Sequence, residues 1–508
     1  MIASLISAKR YTEFATLGLV IILVFAKSAI ADVRTAQDYL KKLGYDAGVT
    51  DGLWGGDTEN ALEKFLNDLN KAWDGNFDQE EMKLLTKELQ KKGLYASEPQ
   101  KSLQEYDVRP KSDVGGKAVT YSHGSEIPEN ARPNDATISR YEDRRQEFIL
   151  RRKSQRLTYN IPPLGNAIPF PENLRTTSAA LERELSEGYL LSYLYYEDGI
   201  IKYNGKASNG RFARDINNQT LFFTHSSGKS IVSYIVGHAI CDGYITSIDE
   251  IIDWPMMSRT LYQGQSLRDL LNMSAGDQHI VDKSTSRIQK SGKHHRNMGL
   301  DTIANYLDGT KKRGSKVFYN NFLTDVIANY IVFKAGDQYD ALMRKVFQDK
   351  VKIEHEVMYE KHGNSHTYGT RSKYFLTLQT KASYSFFITR MDFLRLAVSM
   401  MKDYQSQTCV GKYLKESQEQ SKRWYKFAPH KDNSYLWIHR YAKRYGAQFY
   451  FDFYGMTKRN ILATDGKNGQ NIMIDLDNSR IVVTNSSATG WDRRHLLLNV
   501  IKQGELPK

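Results

Sequence analysis

The chain has 508 residues, too many for one ordinary domain, and its 40% hydrophobic and 12% aromatic content excludes wholesale disorder. A formal charge of +13 favours an anionic partner, for which nucleic acid, acidic lipid and wall polymer all qualify. Cys241 and Cys409 are the only cysteines, too few for a disulfide scaffold or a Cys-rich zinc site; one disulfide and two buried thiols both fit.

At the N-terminus, Lys9 and Arg10 precede the apolar run Phe14 to Ala26, and Ala29-Ile30-Ala31 follows before Asp32. This is the layout of a secretory signal over residues 1–31, with a run too short for a comfortable membrane span. Lys27 is the one awkward residue in it. The expectation is an exported protein of the bacterial periplasm or cell envelope. Export removes nucleic acid as a partner and leaves membrane contact only if the leader stays uncleaved.

Residues 35–95 read as a small all-α domain. Leu40 and Leu43 share one helical face, and Ala61, Leu62 and Phe65 share another, around turns at Gly44, Gly48, Gly52 and Gly55. Asp57 or Thr58 is placed to cap the second helix. Leu43-Gly44-Tyr45, Gly48, Asp51-Gly52, Trp54-Gly55, Thr58, Ala61 and Phe65 resemble the peptidoglycan-binding domain of wall hydrolases. That family usually has Gln where Leu66 stands here, and the resemblance implies peptidoglycan as a partner.

Residues 96–174 hold eight of the eleven prolines and read as an extended basic tether. Its Arg144–Arg156 run reads as a solvated charged helix.

Residues 175–508 read as one α/β (α+β) domain. The stretch from Tyr189 to Gly205 is expected to form two strands around Glu197-Asp198-Gly199. Gly228 to Ile245 is apolar on nearly every side and should be a buried helix. Asn471 to Asn485 reads as a hairpin turning at Asp477-Asn478, followed by a closing helix. Strands at both ends with helices between predict one sheet built from both chain ends.

"HSSGKSIV", residues 225 to 232, carries the chemistry. A phosphate loop would need glycine where Phe223 stands, so that reading fails. Two Ser-x-x-Lys pairs occur, Ser226/Lys229 and Ser399/Lys402. Ser226 opens the apolar helix, and a three-residue step puts Lys229 on the same face. A desolvated lysine there loses basicity and can accept the serine proton. Ser399 and Lys402 lie late in an amphipathic helix with the lysine on its polar side, a decoy. Tyr319-Asn320-Asn321 is the one Tyr-x-Asn in the chain. A tyrosine near a lysine ammonium is expected to hold a lowered pKa and shuttle a proton, and Asn321 to orient the lysine or a substrate carbonyl. No Gly-x-Ser-x-Gly elbow occurs, and Gly363-Asn364 between His362 and His366 spoils a zinc pair, so no metal is expected. His225 is assigned to packing.

These segments, with Gln265–Asp277 and the final hairpin, resemble the serine β-lactamase and penicillin-binding-protein superfamily. The likeness is strongest to its class C-related branch, which also holds esterases and amide-oligomer hydrolases. The resemblance implies a β-lactamase/transpeptidase-like domain, an antiparallel sheet flanked by helices. It implies Ser226 as acylated nucleophile, Lys229 as proton acceptor, Tyr319 as proton relay and Asn321 as a binder of the substrate amide. Backbone N–H groups of Ser226 and Lys467 would form the oxyanion hole. Thr464-Asp465-Gly466 stands where the family carries Lys-Thr-Gly, so the usual cation is missing, and Lys467 is the candidate replacement.

The sequence therefore reads as an exported serine hydrolase acting on a small ester or amide or a peptide, with no cofactor. A D,D-peptidase or β-lactamase is the enzyme alternative, and a non-catalytic wall-binding protein the alternative from another class.

Overall fold

In the N-terminal unit, Met1–Arg109, three helices close a small core: α1 (Val33–Leu43), α2 (Gly56–Asp68) and α3 (Gln79–Lys91). Leu40 and Leu43 join Ala61, Leu62, Phe65, Leu85 and Leu89 there, the faces that helical spacing selects. Leu66, at the position where Gln is usual, is buried in the same core. Thr58 does not cap α2, because the helix already starts at Gly56. Its hydroxyl accepts from Gln37 Nε2 at 3.0 Å and donates to the Ala47 carbonyl at 3.3 Å, tying α1 and the turn-rich link to α2.

The structure is a computed structural model, and it describes residues 33–48, 56–71, 79–94, 119–120, 126–127, 158–174, 176–208, 216–278, 280, 304, 307–362, 379–380, 386–431 and 433–507. The expected leader, Trp54 with its neighbours 49–55, the run Arg144–Arg156, most of 96–157 and His366 lie outside the described residues. No helix among the described residues is long and apolar enough to cross a membrane.

The second unit, Pro110–Lys508, is a mixed fold of helices and three antiparallel sheets, the smallest a pairing of Val119–Thr120 with Glu126–Ile127. Apart from the short Gln379–Thr380, which pairs with the end of Val357–His362, the strands of the two larger sheets begin with β1 (Thr158–Ile161), β2 (Leu190–Glu197), β3 (Ile200–Lys206), β4 (Leu221–Phe223), β5 (Val357–His362) and β6 (Phe386–Thr389). They continue with β7 (Lys422–Arg423), β8 (Ala442–Gly446), β9 (Phe449–Phe453), β10 (Ile461–Gly466), β11 (Gln470–Asp475) and β12 (Arg480–Ser486). The large sheet runs β7-β8-β9-β10-β11-β12-β2-β3. Its β12–β2 seam, with Val482 opposite Tyr195, joins the late strands to the early ones as the sequence predicts. The expected hairpins are β2–β3, turning at Asp198-Gly199, and β11–β12.

The smaller sheet runs β1-β5-β6-β4. Its first strand belongs to the stretch read as a tether. Thr158–Ile161 pairs with β5, and Glu172 bridges Ile201, so the end of that stretch is built into the second unit. Composition hides this because Pro162 and Pro163 directly follow β1, where a ladder ends and no N–H is needed.

Four helices frame the site: α4 (Ser227–Cys241), α5 (Phe322–Ala335), α6 (Arg390–Gln405) and α7 (Cys409–Glu419). Ser227 to Ala239 of α4 are all buried, matching its all-round apolar sequence. A Cβ at Gly237 would meet the Tyr413 ring at 2.7 Å, which is why α4 and α7 can pack so closely. Ser233 Oγ meets Tyr413 Oη at 2.8 Å, and Cys241 is disulfide-bonded to Cys409.

Candidate active site

Three residues separate β4 from α4. Thr224 N–H donates to the Phe386 carbonyl at 2.8 Å, and His225 takes a left-handed φ of +48°. That conformation, uncommon outside glycine, turns the chain sharply and leaves Ser226 at the start of α4. The His225 ring packs edge-on against Phe223, with centroids 4.5 Å apart, as the packing assignment expects. Phe223 itself lies in β4 against Phe387.

Lys229 lies one turn on, and its ammonium nitrogen is 3.2 Å from Ser226 Oγ. It donates to Asn321 Oδ1 at 2.6 Å and lies 5.0 Å from the centre of the Tyr319 ring. Burial pulls its pKa from 10.5 down to about 7, against the attraction of the Asp325 carboxylate on α5. The lysine is therefore available in neutral form near neutrality.

Tyr319 closes the opposite side, its ring centre 5.0 Å from the Lys229 ammonium and 5.8 Å from that of Lys426. The expectation of a lowered pKa for Tyr319 is overturned. Burial raises it, and the nearby polar side chains of Ser226 and Tyr450 offset only part of that rise. Tyr319 rests as a proton donor.

The Tyr-x-Asn segment is held from beneath. Asn320 is buried, donates to Asp277 Oδ2 at 3.2 Å and accepts from the Leu323 N–H at 2.9 Å. Tyr262 also donates to Asp277, at 3.0 Å, and burial raises that carboxyl to about 6. Asn321, directly before α5, thereby meets Lys229.

The third motif is bonded into the scaffold around α4. Thr464 turns toward α4: its hydroxyl meets Ser227 Oγ at 2.8 Å and accepts from the Ile472 N–H at 3.0 Å. Ser227 Oγ also donates to the Gln470 carbonyl. A Cβ on Gly466 would come within 2.4 Å of the Thr224 carbonyl oxygen and 2.8 Å of the Gln470 carbonyl oxygen. Only glycine lets the end of β10 approach the turn that presents Ser226. Lys467 stands exposed in the turn between β10 and β11.

Asp465 is buried and does not project as a free anion. Its Oδ2 accepts from His439 Nδ1 at 2.6 Å and from the His439 backbone N–H at 3.1 Å, and its Oδ1 accepts from Asn471 Nδ2 at 2.9 Å. Burial alone would raise its pKa, but these bonds and the nearby Arg493 charge hold it below the usual carboxylate value. Burial lowers His439, so the pair is a carboxylate bonded to a neutral imidazole.

Aromatic side chains wall the site: Trp424 and Tyr445 pack edge-on against Tyr319, each 5.9 Å away, and the His439 ring stacks on Tyr450. The Lys426 ammonium lies 5.8 Å from the Tyr319 ring centre. Sequence reading missed Tyr450, His439, Asp277 and Lys426, because each reaches the site through long-range packing and none sits in a spaced motif. The decoy pair is apart, with Ser399 buried and bonded to the Lys350 carbonyl at 3.4 Å while Lys402 is exposed. Among the described residues no cluster of His, Cys, Asp or Glu could hold a metal ion.

Residues 30–85 match the family model described as "Putative peptidoglycan binding domain". Several solved structures are similar to the larger unit. A "Putative 6-aminohexanoate-dimer hydrolase" from Bacillus anthracis aligns over 69% of this chain and 90% of its own at 15% identity, with a TM-score of 0.46. FmtA from Staphylococcus aureus aligns over 72% of this chain and 97% of its own at 15% identity and a TM-score of 0.43. A class C β-lactamase from Rhodobacter sphaeroides aligns over 59% and 90% at 14% identity and a TM-score of 0.39. No curated protein matches the chain.

Proposed function

We propose that the chain is a serine hydrolase that forms an acyl-enzyme at Ser226 and hydrolyses an ester or amide. The observation that carries this reading is the buried Lys229 amine, 3.2 Å from Ser226 Oγ and neutral above a pKa of about 7. Neutral Lys229 takes the Ser226 proton as Oγ bonds to the substrate carbonyl carbon. The developing oxyanion faces the N–H groups of Ser226 and Lys467 at the positive end of α4. Tyr319 passes its proton to the leaving group as the carbon–heteroatom bond breaks, and Lys229 restores that proton. Water then releases the acyl group by the same route in reverse.

Residues 35–95 are proposed to hold this activity at the cell envelope, on peptidoglycan, after export through the segment 1–31. The match over residues 30–85 and a disulfide between Cys241 and Cys409, a bond that persists in oxidising compartments, both support that placement. The same match favours a peptide of the wall as substrate, so a D,D-peptidase is the second reading. The bonding of Thr464 into the scaffold, which leaves the third motif without its cation, favours simpler esters and amides.

A fluorophosphonate probe tests the mechanism. The expected result is one adduct on the Ser226 peptide, absent in Ser226→Ala and strongly slowed in Lys229→Met. No adduct on that peptide, as a non-catalytic wall-binding protein would give, sinks the proposal. A turnover panel of short-chain esters, linear amide oligomers, D-amino-acid amides and a chromogenic cephalosporin then separates the two substrate readings.

A further inference from the structure

We propose that Arg493 and Trp491 build a binding site for a small anion beside the β10–β11 turn, and that the bound anion steadies the turn that carries Lys467. The site stands on the structure of this region alone; its effect on turnover rests on the serine hydrolase reading above.

Arg493 lies between β12 and the closing helix, and its side chain is fully buried. Its guanidinium carbon is 4.9 Å from the Trp491 ring centre and 5.3 Å from that of Trp437. Such rings attract the charge through their faces but engage none of its N–H donors in ordinary hydrogen bonds. Nε, Nη1 and Nη2 all lack a hydrogen-bond partner among the described residues, and so does the buried Trp491 Nε1. The two carboxylates that attract Arg493 through space are bonded elsewhere: Asp465 to His439 and Asn471, and Glu184 to the Tyr189 N–H at 2.7 Å. Burial lowers the Arg493 pKa only to about 10, so the group is a cation at neutral pH. A buried cation with every donor unbonded is costly, and a bound counter-anion offsets that cost.

The unbonded donors come together at one place. A Cβ at Gly469 would lie 2.6 Å from Trp491 Nε1 and 2.8 Å from Arg493 Nη2, so the two nitrogens are near enough for one anion to bond both. Gly469 also ties this place to the turn. Its N–H donates to the Gly466 carbonyl at 3.0 Å across Lys467, and its carbonyl accepts from Thr484 Oγ1 at 3.0 Å. A guanidinium fork joined by one indole N–H suits a halide or a carboxylate. Complete burial of both side chains favours a free anion over a group carried on a substrate.

The test follows the melting temperature of the full chain as chloride or acetate replaces a bulky sulfonate at constant ionic strength. The wild type should gain a saturating increase of about 2–6 °C, as an anion that binds only the folded state predicts. Arg493→Met should show no saturating rise. Trp491→Phe keeps a ring and removes one donor, so half-saturation should need about 10-fold more anion. On a neutral short-chain ester, wild-type kcat/KM should rise with the same half-saturation as the melting temperature. A succinate monoester preferred to its neutral analogue by the wild type, but by neither variant, upholds the site with the substrate as the source of the anion. The proposal is overturned if the melting temperature ignores both anions and the charged and neutral esters are turned over alike or not at all. An anion response identical in the wild type and both variants overturns it too. An anion-dependent melting temperature in a chain that turns over neither ester upholds the site and removes the hydrolase reading.

Discussion

Burial makes Lys229 useful and costs the fold. Its ammonium is desolvated, with the Asp325 carboxylate opposing the fall of its pKa to about 7. Activity that needs the neutral amine should rise with pH through a midpoint near 7 in kcat/KM. Asp325→Asn removes an attraction that raises the pKa, so its midpoint should move to lower pH; a midpoint unmoved or raised would contradict the assignment. The stability consequence has its own sign. The folded pKa lies below the ordinary 10.5, so between those values the unfolded chain binds the extra proton. The resulting cost is full below pH 7, shrinks as pH rises and is gone above 10.5. Lys229→Met should therefore be inactive yet more stable, by on the order of 1–4 kcal/mol at pH 6. Thermal melts at pH 6 and pH 10.5 check this, since the difference should largely vanish at the higher pH.

At the scale of elements, the site depends on three close approaches to α4. Gly466 lets β10 come up to the Thr224 turn, Gly237 lets α7 lie against the helix, and the Cys241–Cys409 bond fastens the far end. The first is the most demanding for geometry. Gly466→Ala puts a methyl within 2.4 Å of a backbone oxygen, so the strand or the turn must move. The expected outcome is a loss of turnover of at least about 100-fold, the size a 1 Å misplacement can produce. Its melting temperature should fall by only a few degrees, on the order of a 1 kcal/mol change. Cys241→Ser with Cys409→Ser should show the opposite balance. It loses about 2–5 kcal/mol of stability, as removal of a native disulfide does, while activity at low temperature persists. Denaturant melts and ester turnover on the same preparations separate the two cases. Ser226, Lys229, Tyr319 and Asn321 were legible in the sequence because each pair is tied by short spacing or a helix start. The partners from β9 and the loop around His439 were not, and neither was the bonding of Thr464 and Asp465 on β10. Their convergence follows from strand order in the sheet, which no local pattern encodes. Asp465 shows the difference: read in isolation it is an anion facing substrate, but strand pairing brings it to His439 and Asn471.

For the whole molecule, the sheet that joins β12 to β2 was legible, whereas the smaller sheet β1-β5-β6-β4, made largely of strands within the stretch read as helical, was not. Proline content misplaced one edge, because β1 ends just where Pro162 and Pro163 begin. All the candidate catalytic side chains lie in Pro110–Lys508, whereas the peptidoglycan-binding match lies in Met1–Arg109. The helical unit has its own core of Leu40, Leu62, Phe65, Leu85 and Leu89. Deleting residues 35–95 should leave kcat/KM on a soluble short-chain ester within about 2-fold of the full chain, the scatter expected for a change remote from the chemistry. Pelleting with purified sacculi should fall sharply in the same variant and recover when the segment is restored. If the deleted form pellets as well as the full chain, the net positive charge of the chain explains wall contact better than the helical unit does. Raising the salt concentration decides between these, since charge-driven pelleting is screened at high ionic strength and recognition by a folded groove is screened far less.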